Sequence, residues 1–208
     1  MRHTDKLIKG FSRFRHQYYE SGSRVIQNLV RDGQAPQTLM IACSDSRVTP
    51  SATFDDLSLG EIFMVRNIAN LVPPSELDGH LHGTSAAIEF AVEVLRVENI
   101  VIKGHSHCGG IRALMTGEGG TYIGPWMNIA ATARAEVLRK HADASLDEQT
   151  RALERAAMVV SLNNLLTFPS IRTRVTEGTL RLHAWYFDME EGRLYGYEPQ
   201  SGDFGLLA

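Results

Sequence analysis

Two cysteines and eight histidines are the first residues to weigh in this chain of 208. Cys43 closes the apolar run Thr38-Leu39-Met40-Ile41-Ala42 and opens the polar segment Cys43-Ser44-Asp45-Ser46-Arg47. The second cysteine lies in Gly104-His105-Ser106-His107-Cys108-Gly109-Gly110, directly after another apolar run, Asn99-Ile100-Val101-Ile102. The spacing His105-x-x-Cys108 lets two side chains converge on one ion, and Cys43 can join them from a neighbouring strand end. Together they make a Cys₂His set, which occurs in catalytic zinc sites that keep a fourth position for water. Cys108 also begins a helix, where free N–H groups and the dipole favour thiolate over thiol. Gly109 and Gly110 let the backbone turn tightly and leave room beside a metal. Asp45 and Arg47 follow within four residues of Cys43. An arginine can orient a carboxylate beside a metal through two parallel hydrogen bonds. Asp45 would then either take a proton from water at the metal or bind the metal itself and shut the site.

Each of these residues has a bland reading. A buried cysteine is usually a small hydrophobe, and a single histidine at a strand end is more often structural. Their coincidence at two strand ends, with both cysteines used, reverses those odds. A closed structural zinc site generally takes four ligands, and three soft ones are present. A phosphatase-like thiol would want its arginine farther away than Cys43-x-x-x-Arg47 allows.

The elements that must position these groups follow from periodicity. Residues 4–31 show helical spacing in two pieces, Leu7, Ile8, Phe11, Phe14 and then Val25, Ile26, Leu29, Val30, broken at Ser21-Gly22-Ser23. The continuous apolar run at 38–42 reads as a buried parallel strand, and the runs at 62–65 and 99–102 read as a second and third strand. Between them, residues 79–96 read as a helix with Ala86, Ala87, Phe90, Ala91, Val94 and Leu95 as its apolar stripe. His80 and His82 near its start read as surface residues. Helical patterns follow at 124–140 and 147–167, Pro169 marks a stop or turn, and strands at 180–187 and 193–197 close the chain. Strands alternating with helices predict an α/β fold, a single domain with a mainly parallel central β-sheet flanked by helices and an N-terminal helical arm. The arm is placed at 1–31 and the zinc-binding core at 32–198.

Composition narrows the class. Twenty-one Lys+Arg against 24 Asp+Glu gives a formal charge of -3, which excludes a general nucleic-acid binder relying on phosphate neutralisation. Two cysteines are too few for a disulfide-stapled secreted scaffold. With no long apolar window and no apolar core near the N-terminus, the expectation is a cytoplasmic protein with no membrane partner.

The two spaced motifs resemble those of the beta-class carbonic anhydrases. Phe63-Met64-Val65-Arg66-Asn67-Ile68-Ala69-Asn70 is similar to another signature of that family, as are Ala86-Ala87-Ile88-Glu89-Phe90-Ala91 and Ser161-Leu162-Asn163-Asn164-Leu165. The resemblance spans about residues 30 to 198. It implies Cys43, His105 and Cys108 as ligands of one Zn²⁺ per subunit, Asp45 and Arg47 as the catalytic dyad, and Asp45 as a further ligand in a closed state. It also implies that Gln34 donates to substrate oxygen and that Phe63 and Gly109 line a small apolar pocket. Phe90 stands where some members carry tyrosine, and Met40 where some carry a tryptophan of a second bicarbonate site. The implied activity is reversible hydration of carbon dioxide to bicarbonate and a proton by hydroxide formed at zinc. Closure by Asp45 would require Arg47 to release it and would lower activity reversibly in acid. Two other readings stay open: a carbon disulfide or carbonyl sulfide hydrolase on the same scaffold, and a non-enzymatic zinc or redox sensor. The family's habit and the apolar arm lead us to expect a homodimer or homotetramer, with the site near a subunit boundary.

Overall fold

A computed structural model describes residues 3–54, 58–76 and 82–208. His80 lies outside the described residues. The arm forms α1 (His3–Arg15), which runs through a π-turn at His16–Glu20, and α2 (Val25–Asp32). The core then runs β1 (Thr38–Cys43), a short α3 (Pro50–Thr53), β2 (Ile62–Asn67), α4 (Gly83–Glu89) and β3 (Asn99–His105). After β3 come α5 (Gly109–Thr116), α6 (Ile123–Met127), α7 (Ala131–Lys140), α8 (Leu146–Leu165) and α9 (Pro169–Thr176). Strands β4 (Arg181–Asp188), β5 (Arg193–Glu198) and β6 (Asp203–Leu206) complete the chain.

The six strands form one sheet in the order β2-β1-β3-β4-β5-β6. β2, β1, β3 and β4 are parallel, whereas β5 and β6 are added antiparallel. The expected α/β domain with a mainly parallel sheet and N-terminal helices is therefore present. β1 and β3 sit side by side, yet β1 connects outward to β2 and β3 connects the other way to β4. Such a topological switch opens a crevice at the carboxyl ends of the two strands, where ligands bind in open α/β sheets. Cys43 is the last residue of β1 and His105 the last of β3. The fold thus delivers both to one crevice.

Alternation along β1 assigns its faces. Leu39 and Ile41 enter the main core with Ile88, Val92, Ile100, Ile102, Met158 and Tyr186, under α4, α8 and α9. Met40 and Ala42 face the other way, with Val101, Phe54 and Trp185, in a small cluster. α8 is anchored by a capping box between Ser145 and Glu148, and Pro169 opens α9 at its first turn. Pro169 is thus a helix start, not only a stop.

Close packing at Gly104 explains why β3 has no side chain just before His105. A Cβ there would strike Met158, with Cγ at 3.1 Å and Cε at 3.3 Å besides the sulfur. Met158 is fully buried and has nowhere to go. Gly104→Ala should cost about 1–3 kcal/mol by overpacking. Thermal unfolding checks this, and an unchanged midpoint would contradict it.

Two features depart from the sequence reading. A sixth strand, β6, carries the sheet past residue 198 to Leu206. In the helix leading to β3, Ile88, Ala91 and Val92 are buried, but Phe90 is 42% exposed and Ala86 and Val94 also face outward. A π-turn at Phe90–Val94 inserts extra backbone per hydrogen bond and rotates the inward face away from the regular 3.6-residue stripe. Part of the predicted stripe is therefore surface.

Candidate metal centre

The ligand atoms of Cys43, His105 and Cys108 all lie within 4.8 Å of one another. The two sulfurs are 3.9 Å apart, and all three residues are buried. Cys108 is the N-cap of α5, where the nearby amides of Gly110 and Ile111 favour the thiolate. A Cβ on Gly110 would come within 2.7 Å of Ile68, so that glycine is required by close approach. Gly109 instead faces open space, as a residue beside a pocket should.

His105 is prepared as a ligand. Its Nδ1 lies 2.8 Å from the Ser106 carbonyl, which can only accept, so Nδ1 carries the proton. Its Nε2 is left with a lone pair, buried and without any hydrogen-bond partner. The orphaned nitrogen and two adjacent sulfurs form the donor set that a tetrahedral zinc ion takes, with the fourth position open. Burial disfavours protonation of His105, but the adjacent Cys43 sulfur outweighs it and raises its pKa. The hydrogen bond from Cys108 lowers the Cys43 thiol to about 4. That same bond, with burial, pushes Cys108 up. A cation between them would be needed for both sulfurs to be thiolates at once, and the donor set fits one.

Asp45 and Arg47 stand beside the cluster as a formed pair. Asp45 Oδ1 accepts from Arg47 Nε at 3.0 Å and from its main-chain N–H at 2.9 Å, while Oδ2 accepts from Nη2 at 2.7 Å. The Arg47 side-chain hydrogen bonds hold the Asp45 carboxyl far below the ordinary carboxylate range, despite partial burial. Arg47 Nη2 also donates to the His107 carbonyl at 3.0 Å. Asp45 is outside the three-ligand cluster, so the pair stands in the open arrangement. His107 has a left-handed backbone, φ 57°, and its ring Nε2 meets Glu190 at 2.9 Å, which also pairs with Arg151.

The structure does not gather every predicted residue. Gln34 is exposed and precedes β1, at the opposite end of that strand from Cys43. Phe63 pairs with Leu39, four positions before the Asn67–Cys43 pair, which is about 13 Å along the strand. Its ring stacks on exposed Phe90, with centroids 5.8 Å apart. Within one chain, neither Gln34 nor Phe63 reaches the metal centre. The reason is strand length: both residues lie at the amino end of a sheet whose carboxyl end holds the ligands. His82 instead lines a hollow of about 590 Å³ with Ser44, Asn67, Ile68, Tyr122 and Trp126, among others. Ser44 joins this hollow to the metal centre.

Two residues near the centre escaped the sequence reading. Arg66 donates to the Cys43 carbonyl at 3.0 Å and the Asp45 carbonyl at 2.7 Å, fixing the turn after β1. Glu154, buried in α8, accepts from the Cys108 N–H at 2.9 Å. The available signals were a charge at the end of the apolar β2 run and an acid on the inner side of α8.

Comparison with known proteins agrees with this geometry. The family model described as carbonic anhydrase matches residues 38–194. "Beta carbonic anhydrase 3" of Arabidopsis thaliana is 38% identical over 195 residues, covering 91% of this chain and 74% of that protein. A carbonic anhydrase of Synechococcus elongatus is 32% identical over 203 residues, covering 95% and 73%. Among solved structures, the beta-carbonic anhydrase CcaA superposes with a TM-score of 0.91 at 31% identity, over 99% of this chain and all of that one. A tetrameric beta-carbonic anhydrase from Sordaria macrospora gives 0.81 at 28% identity, over 93% and 95%.

Proposed function

From the premise that this chain belongs to the beta-class carbonic anhydrase family, we propose how its own residues carry out the reaction. The protein is a carbonic anhydrase, catalysing reversible hydration of carbon dioxide to bicarbonate and a proton. The comparisons favour this over the hydrolase and redox-sensor alternatives. The observation that carries the site assignment is the cluster of three ligand atoms with His105 Nε2 buried and unpartnered. Cys43 Sγ, His105 Nε2 and Cys108 Sγ hold one zinc ion per chain. Bound there, zinc supplies the Lewis acidity that makes water a nucleophile near neutral pH. Asp45 Oδ1 already accepts two N–H bonds, whereas Oδ2 accepts one and keeps a lone pair free. Oδ2 is therefore the atom that orients the reacting water and receives its hydrogen bond. Arg47 keeps that carboxylate ionised and fixed. Carbon dioxide, itself apolar, enters along the apolar wall of Ile68, Pro73, Ile123 and Trp126 beyond Ser44, and Gly109 leaves open space beside the centre.

Gln34 and Phe63 serve substrate only across a subunit boundary. The fold supplies surfaces for one. No residue of α1 or α2 is buried, and Leu7, Ile8 and Phe11 are each more than half exposed. Met40, Phe54, Ile62, Val101 and Trp185 meanwhile line an open apolar hollow of about 410 Å³ on the sheet. A homodimer or homotetramer that covers both is our reading, and the tetrameric relative supports it. The protein is placed in the cytoplasm, because both cysteines must stay reduced to serve as ligands. Among the described residues, no helix is long and apolar enough to cross a membrane.

The test combines stopped-flow carbon dioxide hydration, zinc analysis and mass in solution on one preparation. Two thiolates leave the metal a formal charge near zero, so water there is polarised less than by three neutral histidines. Hydration should therefore rise with pH above neutrality across about pH 6 to 9. A flat kcat/KM profile contradicts the charge argument, and zinc-replete protein without hydration overturns the assignment.

A further inference from the structure

The peptide unit between His107 and Cys108 is gripped from both sides. Its carbonyl oxygen, on His107, accepts from Arg47 Nη2 at 3.0 Å. Its N–H, on Cys108, donates to Glu154 Oε1 at 2.9 Å. One peptide plane therefore carries a metal ligand on one flank and the anchor of the Asp45–Arg47 pair on the other.

Such a plane does not hold itself. An N-cap N–H has no partner inside its own helix, so the Cys108 amide must find an acceptor elsewhere. The preceding residue, His107, sits in the left-handed region at φ 57°, which a side chain with a Cβ adopts only when its surroundings require it. Rotating the plane by a coupled change at His107 and Cys108 would relieve this and swing the carbonyl away from Arg47. Glu154 opposes that rotation. It is 3% exposed, between Leu153 and Ala157 in the apolar layer of α8. Its second oxygen, Oε2, accepts from the Tyr186 hydroxyl at 2.8 Å. Tyr186 is itself fully buried in β4, with the Arg155 guanidinium 4.5 Å over its ring. Both carboxylate oxygens are thus occupied and the side chain cannot turn. Burial raises the Glu154 carboxyl, against the pull of the two donors. A buried acid in an apolar layer is costly, and here its hydrogen bonds lead directly to the centre.

We propose that Glu154 is a positioning residue of the metal centre: it locks the His107–Cys108 peptide so that Cys108 faces its co-ligands while the His107 carbonyl holds Arg47. Glu154 touches neither metal nor substrate. It acts through the acceptor it offers to one N–H, and Tyr186 keeps that acceptor aimed.

The inference rests on the zinc-ligand reading above, and its test does not use hydration activity. Zinc release from the loaded, full-length protein to a chromophoric chelator is compared for the parent, Glu154→Ala and Glu154→Gln. The visible spectrum of the cobalt-substituted proteins reports ligand geometry alongside. Glu154→Ala should release zinc about 10- to 100-fold faster, as loss of an outer hydrogen bond to a metal ligand typically does. Its cobalt spectrum should also change. Glu154→Gln keeps an acceptor for the Cys108 N–H and turns its amide toward the Tyr186 oxygen, so it should stay within about threefold of the parent. A folded Glu154→Ala protein with parental zinc release and cobalt spectrum overturns the proposal. So does a Gln variant as impaired as the Ala variant, because charge and not the acceptor would then matter. Should Glu154→Ala fail to fold, amide hydrogen exchange in the zinc-loaded parent decides. The Cys108 amide should exchange as slowly as the buried amides of β3, and rapid exchange refutes the lock. A parent that binds no zinc sinks the metal reading together with this one, whereas a zinc-bound parent with insensitive variants sinks this one alone.

Discussion

Cys108→Ala is expected to yield a folded protein that carries no stoichiometric zinc and hydrates carbon dioxide at least about 10³-fold more slowly than the parent. The loss is large because the proposed centre draws on three clustered side chains among the described residues, and this removes one of its two sulfurs. Cys43 and His105 would remain on neighbouring strand ends, but two donors do not close a tetrahedral site. Folding should survive. The deleted sulfur is small, its loss costs about 1 kcal/mol of burial, and Cys108 belongs to a buried cluster with Ile111, Met115, Met127 and Leu153 that remains. The substitution also removes the weak Cys108–Cys43 sulfur hydrogen bond at 3.9 Å, a small loss for the fold. Zinc per chain and stopped-flow hydration, measured on the same sample, check the result. A Cys108→Ala protein that retains full zinc and activity would mean the ligand assignment is wrong.

The parts of this centre that sequence reveals are those whose partners lie within a few residues. His105 and Cys108 are three positions apart and Asp45 and Arg47 two, so spacing alone shows that they meet. β1 and β3 are equally legible, because interior parallel strands are buried on both faces and read as unbroken apolar runs. Glu154 is different. It meets Cys108 across 46 residues, and Arg66 meets Cys43 across 23, through strand order and helix packing that no local pattern encodes. β6 was missed because Asp203-Phe204-Gly205-Leu206 is a short edge strand, half polar, and edge strands need satisfy only one neighbour. The face of the α4 segment was misjudged because its π-turn breaks the 3.6-residue period on which the reading relied. Gln34 and Phe63 show another limit. A matching position in sequence says nothing about which chain presents the residue, and this fold places both at the end of the sheet opposite the Cys43, His105 and Cys108 cluster of their own chain.

Asp45→Asn should retain zinc, since Asp45 is not among the three clustered ligands, and yet lower kcat/KM by about 10²–10³-fold. The asparagine keeps the shape but loses the anionic Oδ2, and one of its two terminal atoms becomes a donor facing the Arg47 donors. The pH dependence has a definite sign. The native Asp45 pKa is depressed by Arg47, so the stabilisation from the pair is present above the ordinary carboxylate value and lost as pH falls through the native one. Asp45 protonation therefore contributes no step to the hydration profile between about pH 6 and 9. Arg47→Ala removes the same activity by another route. It removes the two side-chain hydrogen bonds to Asp45, from Nε to Oδ1 and from Nη2 to Oδ2, and leaves only the main-chain N–H of residue 47 on Oδ1. A carboxylate so released would no longer be held in the position from which it orients the reacting water. The two losses then share one cause, the fixed open carboxylate, and cannot add. The double variant should be no slower than the worse single variant. Fully additive losses, with zinc retained in all three proteins, would show that Asp45 and Arg47 act independently and that the pair seen beside the centre is not the working unit.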